Sequence, residues 1–189
     1  MAQAQTTAAP PANLPSSNLF AQGSDVHQHL TFSLGGEMYA MRILNVKEII
    51  EYGQLTEIPM MPPFIRGVIN LRGAVVPVID LSSRFGNAPT QVGKRTCIVI
   101  AELAEEQGSQ DVGVMVDAVS EVLDIPAGEI EPAPAFGAQI RTDFIDGIGK
   151  VNGRFVILLN VRNVLSIEEM AALSNLGGSN TGAESAVEV

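Results

Sequence analysis

The chain has 189 residues, 46% of them hydrophobic and 17% charged, enough apolar material for the core of one domain or two small ones. Its net charge of −10 and pI near 4.5 exclude a nucleic-acid partner, since phosphate binding needs clustered Lys and Arg to displace counterions and no basic stripe is present. The single cysteine, Cys97, lies in the apolar run Thr96 to Ala101, so it forms no internal disulfide and reads as a small buried hydrophobe in a reducing compartment. The amino terminus, Met-Ala-Gln-Ala-Gln-Thr-Thr, has neither a basic residue nor an apolar run. It therefore reads as neither a secretory signal nor a membrane span, and a soluble, cytoplasmic protein without direct membrane insertion is expected.

Residues 1–24 are rich in Ala, Pro, Gln, Ser and Thr, too poor in large apolar side chains to offset the entropy of ordering, and predict a flexible leader. The first strand is predicted at His29 to Leu34, with Leu30, Phe32 and Leu34 on one face. Gly35-Gly36 then turns the chain into a second strand, Glu37 to Ile43. Ile43 to Glu51 reads as one helical turn leading into a strand through Glu48 to Tyr52, and Ile58-Pro-Met-Met-Pro-Pro63 as an irregular connector.

The most informative stretch follows. Two apolar arms, Phe64 to Ile69 and Ala74 to Leu81, flank the polar corner Asn70-Leu71-Arg72-Gly73, as in a hairpin closed by glycine. Gly73 can take positive φ, Gly67 marks a bulge or close backbone approach, and Pro77 predicts a free edge or bulge in the second arm. Arg72 is then a planar cation at the tip of a stiff apolar scaffold.

After Gly86 the pattern recurs. Phe64-Ile-Arg-Gly-Val-Ile aligns with Phe144-Ile-Asp-Gly-Ile-Gly, and Gly73 to Leu81 aligns with Gly153 to Val161, both at a spacing of 80 (144 minus 64, 153 minus 73). Ile43 to Glu51 aligns with Val116 to Asp124 at 73 (116 minus 43). Three blocks in one order indicate a unit present twice, each of short strands punctuated by Gly and Pro, hence two small β-barrels or sandwiches. The expected division is residues 25–92 and 93–174. Ser166 is expected to cap a short helix, Ile167 to Ser174, before a flexible tail at 175–189.

Catalytic chemistry finds little support. His27 and His29 have a His-x-His spacing without companion ligands, so no metal site is expected, and no other histidine exists to serve a Ser-His-Asp or Cys-His arrangement. Gly147 and Gly149 lack the third glycine and following helix of a phosphate loop. Asp80, Asp117, Asp124 and Asp146 could pair as carboxylates, but acids at strand ends are usually turn formers. Charge is uneven: Glu102 to Gln110 reads as an acidic hairpin loop, and no Lys or Arg occurs between Arg95 and Arg141. The first unit carries Arg42, Lys47, Arg66, Arg72 and Arg84, so the two barrels are expected to meet different partners.

The blocks Leu44-Asn-Val-Lys-Glu-Ile49, Phe64 to Gly73, Val76-Pro-Val-Ile-Asp-Leu81, Val116-Asp-Ala-Val-Ser-Glu-Val122 and Pro132-Ala-Pro resemble the CheW family of bacterial chemotaxis coupling proteins. The likeness runs from about Leu30 to Leu173, and Asn-Leu-Arg-Gly is its most specific part. It implies a mainly β fold of two tandem SH3-like, five-stranded barrel subdomains with a short C-terminal helix, no enzymatic activity and no cofactor. It also implies an adaptor joining the signalling tips of methyl-accepting chemoreceptors to the regulatory domain of the histidine kinase CheA, at membrane receptor arrays. Carried over onto the same motif, the receptor-facing residues are Glu48, Gly67, Asn70, Leu71, Arg72 and Gly73, whereas kinase contacts are not assigned. Glu48 is expected to hold Arg72 in one rotamer by charge-assisted hydrogen bonds. No receiver or histidine-kinase motif accompanies the domain, and relatives of this kind also serve surface motility and other receptor pathways. The competing class, a small barrel enzyme or ligand binder, would instead converge carboxylates such as Asp80 and Asp117 on a pocket.

Overall fold

The computed structural model describes residues 26–105, 108–134 and 141–166. The expected leader, the helix expected from Ile167 and the tail lie outside the described residues. The first half supplies β1 (Val26–Leu34), β2 (Glu37–Arg42), β3 (Val46–Glu51), β4 (Ile65–Leu71), β5 (Ala74–Asp80) and the one-turn helix α1 (Leu81–Arg84). The second supplies β6 (Cys97–Glu105), β7 (Gly108–Val116), β8 (Ala118–Pro126), the short β9 (Ile130–Glu131), β10 (Ile145–Val151), β11 (Arg154–Leu159) and α2 (Val161–Val164). The fold is mainly β, in two sheets.

One sheet has the order β8-β1-β2-β11-β10-β9 and the other β3-β6-β7-β5-β4. The first repeat is thus a hairpin followed by three strands and the second a hairpin followed by four, the short β9 being the extra one, and the hairpins are exchanged. β1 and β2 join the strands of the second half, β2 lying parallel to β11, while β6 and β7 join those of the first, β7 lying parallel to β5. The division at residues 92 and 93 therefore marks the sequence repeat but not the sheets. Connection lengths explain the exchange. Between β7 and β8 stands Asp117 alone, too little chain for a hairpin turn, and between β2 and β3 stands the single 3₁₀ turn Ile43–Asn45. The chain crosses to the other sheet at both places. The first of these sheets also gains a sixth, two-residue strand, β9, beyond the five expected.

The repeat is accurate to the residue in the last strands of each half. Register shifts fall between Ile65 and Gly67 and between Ile145 and Gly147. Arg72-Gly73 and Asn152-Gly153 carry the positive φ values of two-residue turns. Asp80 and Asn160 cap the one-turn helices that follow.

Exchange creates one large core between the sheets, drawn from both halves and including Phe32, Tyr39, Ile79, Leu81, Val99 and Phe144. Two smaller cores fill the sheets' other faces, one around Val76, Val78, Ile98, Ile100 and Met115, the other around Ala40, Ile125, Val156 and Leu158. Alternation along the strands sends neighbouring residues to different cores, as Val99 and Ile100 illustrate.

Two local expectations are refined. Pro77 pairs with Val68 on β4, and the parallel pairing of β5 with β7 starts only at Val78, so the residue without an N–H sits where that side of the ladder is open. Glu102 to Gln110 is not a loop: the β6–β7 ladder continues to Glu105 opposite Gly108. Lys47 reaches across to Asp111 at 2.8 Å and to Glu102 at 3.8 Å, which offsets the facing acids within the ladder.

Candidate functional site

The site is built at one end of the first-half sheet. β4 and β5 meet at Arg72 and Gly73, whose φ values of 53° and 91° define the primed turn that matches strand twist. Asn70 secures this corner by accepting a hydrogen bond from the Gly73 N–H at 2.8 Å through its Oδ1. Leu71 turns inward and packs against the small core around Val76 and Ile100. Gly67 lies at the bulge with φ 142°, and a Cβ there would collide with the Thr56 carbonyl oxygen. That close approach lets Thr56 and Val68 exchange two backbone hydrogen bonds of 2.9 Å, which latch the segment after β3 onto β4 and bring the sheet's outer strands together.

This closure brings Glu48 to Arg72. Glu48 stands opposite Ile100 and Ile50 opposite Ile98, so Glu48 projects toward the small core at the mouth of the barrel. Arg72 Nη2 donates to Glu48 Oε2 at 3.0 Å, with the arginine side chain 76% exposed and the glutamate 22%. Glu48 Oε1 is buried and has no hydrogen-bond partner among the described residues. The carboxylate thus holds a guanidinium that keeps most of its donors facing solvent. Of the six expected residues, Glu48 and Arg72 present the charge, while Gly67, Asn70, Leu71 and Gly73 build the platform beneath it.

Sequence reasoning missed the apolar flank. Leu44 is 86% exposed and Ile49 is 45% exposed, on either side of Glu48 in the chain. The alternation of Lys47, Ile49 and Glu51 with half-buried partners could have marked the outward face of β3.

Three of the four carboxylates weighed for catalysis have structural duties, and the fourth, Asp124, is exposed on β8. Asp80 is fully buried and accepts from the N–H groups of Ser82, Ser83 and Thr90 and from the Thr90 hydroxyl. Asp117 Oδ2 accepts from the Gly35 N–H at 2.7 Å, and Asp146 Oδ1 from Asn160 Nδ2 at 2.8 Å. A cleft of about 830 Å³ runs between the β1–β2 turn and Ile145, Ile148 and Ile157, with Asp117 and Glu37 among its walls. His29 is buried, with Nδ1 at 2.9 Å from the His27 carbonyl oxygen, and burial pushes its pKa below the usual histidine range. Among the described residues no group of three or more His, Cys, Asp or Glu is placed to hold a metal ion. No helix among them is long and apolar enough to cross a membrane.

Two hairpin-exchanged barrels with a preset arginine at one rim define a mainly β protein of the scaffold type, with an exposed hairpin at one end. A family model described as the CheW-like domain matches residues 28–169. The chemotaxis protein CheW of Klebsiella aerogenes is 40% identical over 152 residues, covering 80% of this chain and 89% of the relative. The chemotaxis protein CheW of Rhizobium meliloti is 33% identical over 143 residues, covering 76% and 90%. Protein FrzA of Myxococcus xanthus is 29% identical, covering 85% and 98%. Among solved structures, the scaffolding protein TtCheW from Thermoanaerobacter tengcongensis superposes with a TM-score of 0.68 at 37% identity, covering 75% of this chain and 93% of that one. The chain belongs to the CheW-like family, and with it to the scaffolds of chemotaxis.

Proposed function

We propose that this protein is a non-enzymatic adaptor that couples methyl-accepting chemoreceptors to the histidine kinase CheA, working in the cytoplasm and recruited to membrane receptor arrays. The observation that carries the reading is the Arg72–Glu48 pair, an exposed guanidinium fixed at the tip of a two-residue turn. A receptor segment would meet donors already oriented, so less entropy is lost on docking. The apolar flank of Leu44 and Ile49 adds area to desolvate beside it. The receptor-facing residues are Glu48 and Arg72, held by Gly67, Asn70, Leu71 and Gly73. The kinase's regulatory domain would bind elsewhere, so that both partners are held at once.

A pull-down of the full chain and Arg72→Ala against a receptor signalling-tip fragment, and separately against the kinase's regulatory domain, tests this. Receptor binding should fall by about 1–3 kcal/mol with kinase binding retained. Wild-type chain that captures neither partner would sink the assignment. A second reading, an adaptor of a surface-motility or other non-flagellar pathway, draws on the similarity to FrzA. It would show as binding to that pathway's receptor and kinase instead.

A further inference from the structure

Arg84 occupies the junction between the two repeats. Its guanidinium carbon lies 4.9 Å from the ring centroid of Phe64 and 4.9 Å from that of Phe144. These two phenylalanines are repeat-equivalent, 80 positions apart (144 minus 64). Arg84 Nε donates to the carbonyl of Val164 at 3.1 Å, and Val164 is the residue equivalent to Arg84 itself (164 minus 84). One cation is therefore shared by matching aromatics of both repeats, at a position the second repeat fills with valine. Both rings are anchored in the same way. Asp80 N–H donates to the Phe64 carbonyl at 2.8 Å and Asn160 N–H to the Phe144 carbonyl at 2.9 Å.

Phe64 immediately precedes β4 and Arg84 ends the helix that follows β5, so this bracket grips both roots of the hairpin that carries Arg72 at its tip. A seven-residue strand is a lever of ~23 Å, so a tilt of ~3° at the root moves the tip by ~1 Å, enough to spoil a preset contact. A guanidinium between two faces resists such a tilt through its planar shape and charge together.

We propose that Arg84 is a positioning residue: it locks the two repeats in one mutual orientation and so sets where the Arg72–Glu48 pair stands relative to the sheet that holds β10 and β11. The experiment is native-state amide hydrogen exchange on the full chain, wild type, Arg84→Met and Arg84→Lys. In Arg84→Met, which fills the gap without a charged plane, the Asp80 and Asn160 amides should exchange about tenfold faster relative to those of core Val99 and Val114. Arg84→Lys should fall closer to the methionine variant than to wild type. An equal acceleration of all four amides would reduce Arg84 to a general stability residue, and unchanged Asp80 and Asn160 rates would remove the bracket altogether; either result overturns the proposal. A binding arm rests on the adaptor reading: at a temperature where far-UV circular dichroism is native, Arg84→Met should bind the receptor fragment about fivefold or more weakly. Undiminished binding by Arg84→Met overturns the positioning of the tip. Absence of binding by wild type counts against the adaptor reading, and the exchange arm then decides on Arg84 alone.

Discussion

Arg72 and Asn152 occupy the same place in the two repeats, each the first residue of a two-residue turn, with φ of 53° and 50°. Asn-Gly is the sequence such a turn prefers; an arginine in the left-handed region is not. The first repeat accepts local strain where it presents its cation, and the second does not. In a Glu48→Gln background, where the ion pair is already gone, Arg72→Asn should raise stability by about 0.5–1 kcal/mol, read from the urea midpoint. The same change should weaken the proposed receptor binding by about 1–3 kcal/mol, as Arg72→Ala should.

The Asp80 carboxylate closes α1 and ties the chain at Thr90 to it, whereas among the described residues Asn160 accepts only the Asn163 N–H in the equivalent cap. Asp80→Ala should therefore cost about 2–4 kcal/mol and Asn160→Ala about 1 kcal/mol. Equal losses in chemical denaturation would show that the Thr90 bonds contribute nothing.

Gly67→Ala puts a methyl group against the Thr56 carbonyl and an L-residue at φ 142°. We expect a loss of about 2–4 kcal/mol. The Thr56 and Val68 amides should lose protection from exchange ahead of Val99, because their mutual hydrogen bonds are the first to part.

His29 adds a pH dependence. Burial is the largest cause of its lowered pKa, and Arg42 and His27 act in the same direction, while the His27 carbonyl and Asp146 oppose them. The unfolded chain then binds the proton more readily than the native one. Stability from this group is full above the ordinary histidine pKa and is lost as pH falls from there through the lower, native value. His29→Gln should flatten that part of a stability profile between about pH 7 and 5 relative to wild type.

Much of this was readable from residue order. Alternating apolar positions gave the strand at Leu30 to Leu34, and Gly67, Gly73 and Pro77 announced the bulge, the turn and the open stretch of ladder. The Arg72 tip followed from that hairpin. The 80-residue spacing even aligned features as fine as the two bulges. What the sequence concealed was which hairpin pairs with which strands, because both sheets demand the same alternation and either partner would satisfy it. Only the short crossings at Ile43–Asn45 and Asp117 forbid the simple arrangement. Arg84 was equally hidden: a lone arginine after a strand looks solvated until Phe64 and Phe144, far apart in the chain, arrive on both sides of it.

The exchange of hairpins also governs how the molecule must be made. A ribosome releases β1 and β2 well before their pairing partners β8 and β11, which lie in the second repeat. The early hairpin must wait with an apolar face uncovered, and the high separation between partners slows closure of the sheets. Either half alone would lack the strands that its hairpin pairs with, so a single copy of the repeat would leave that hairpin with unpaired edges.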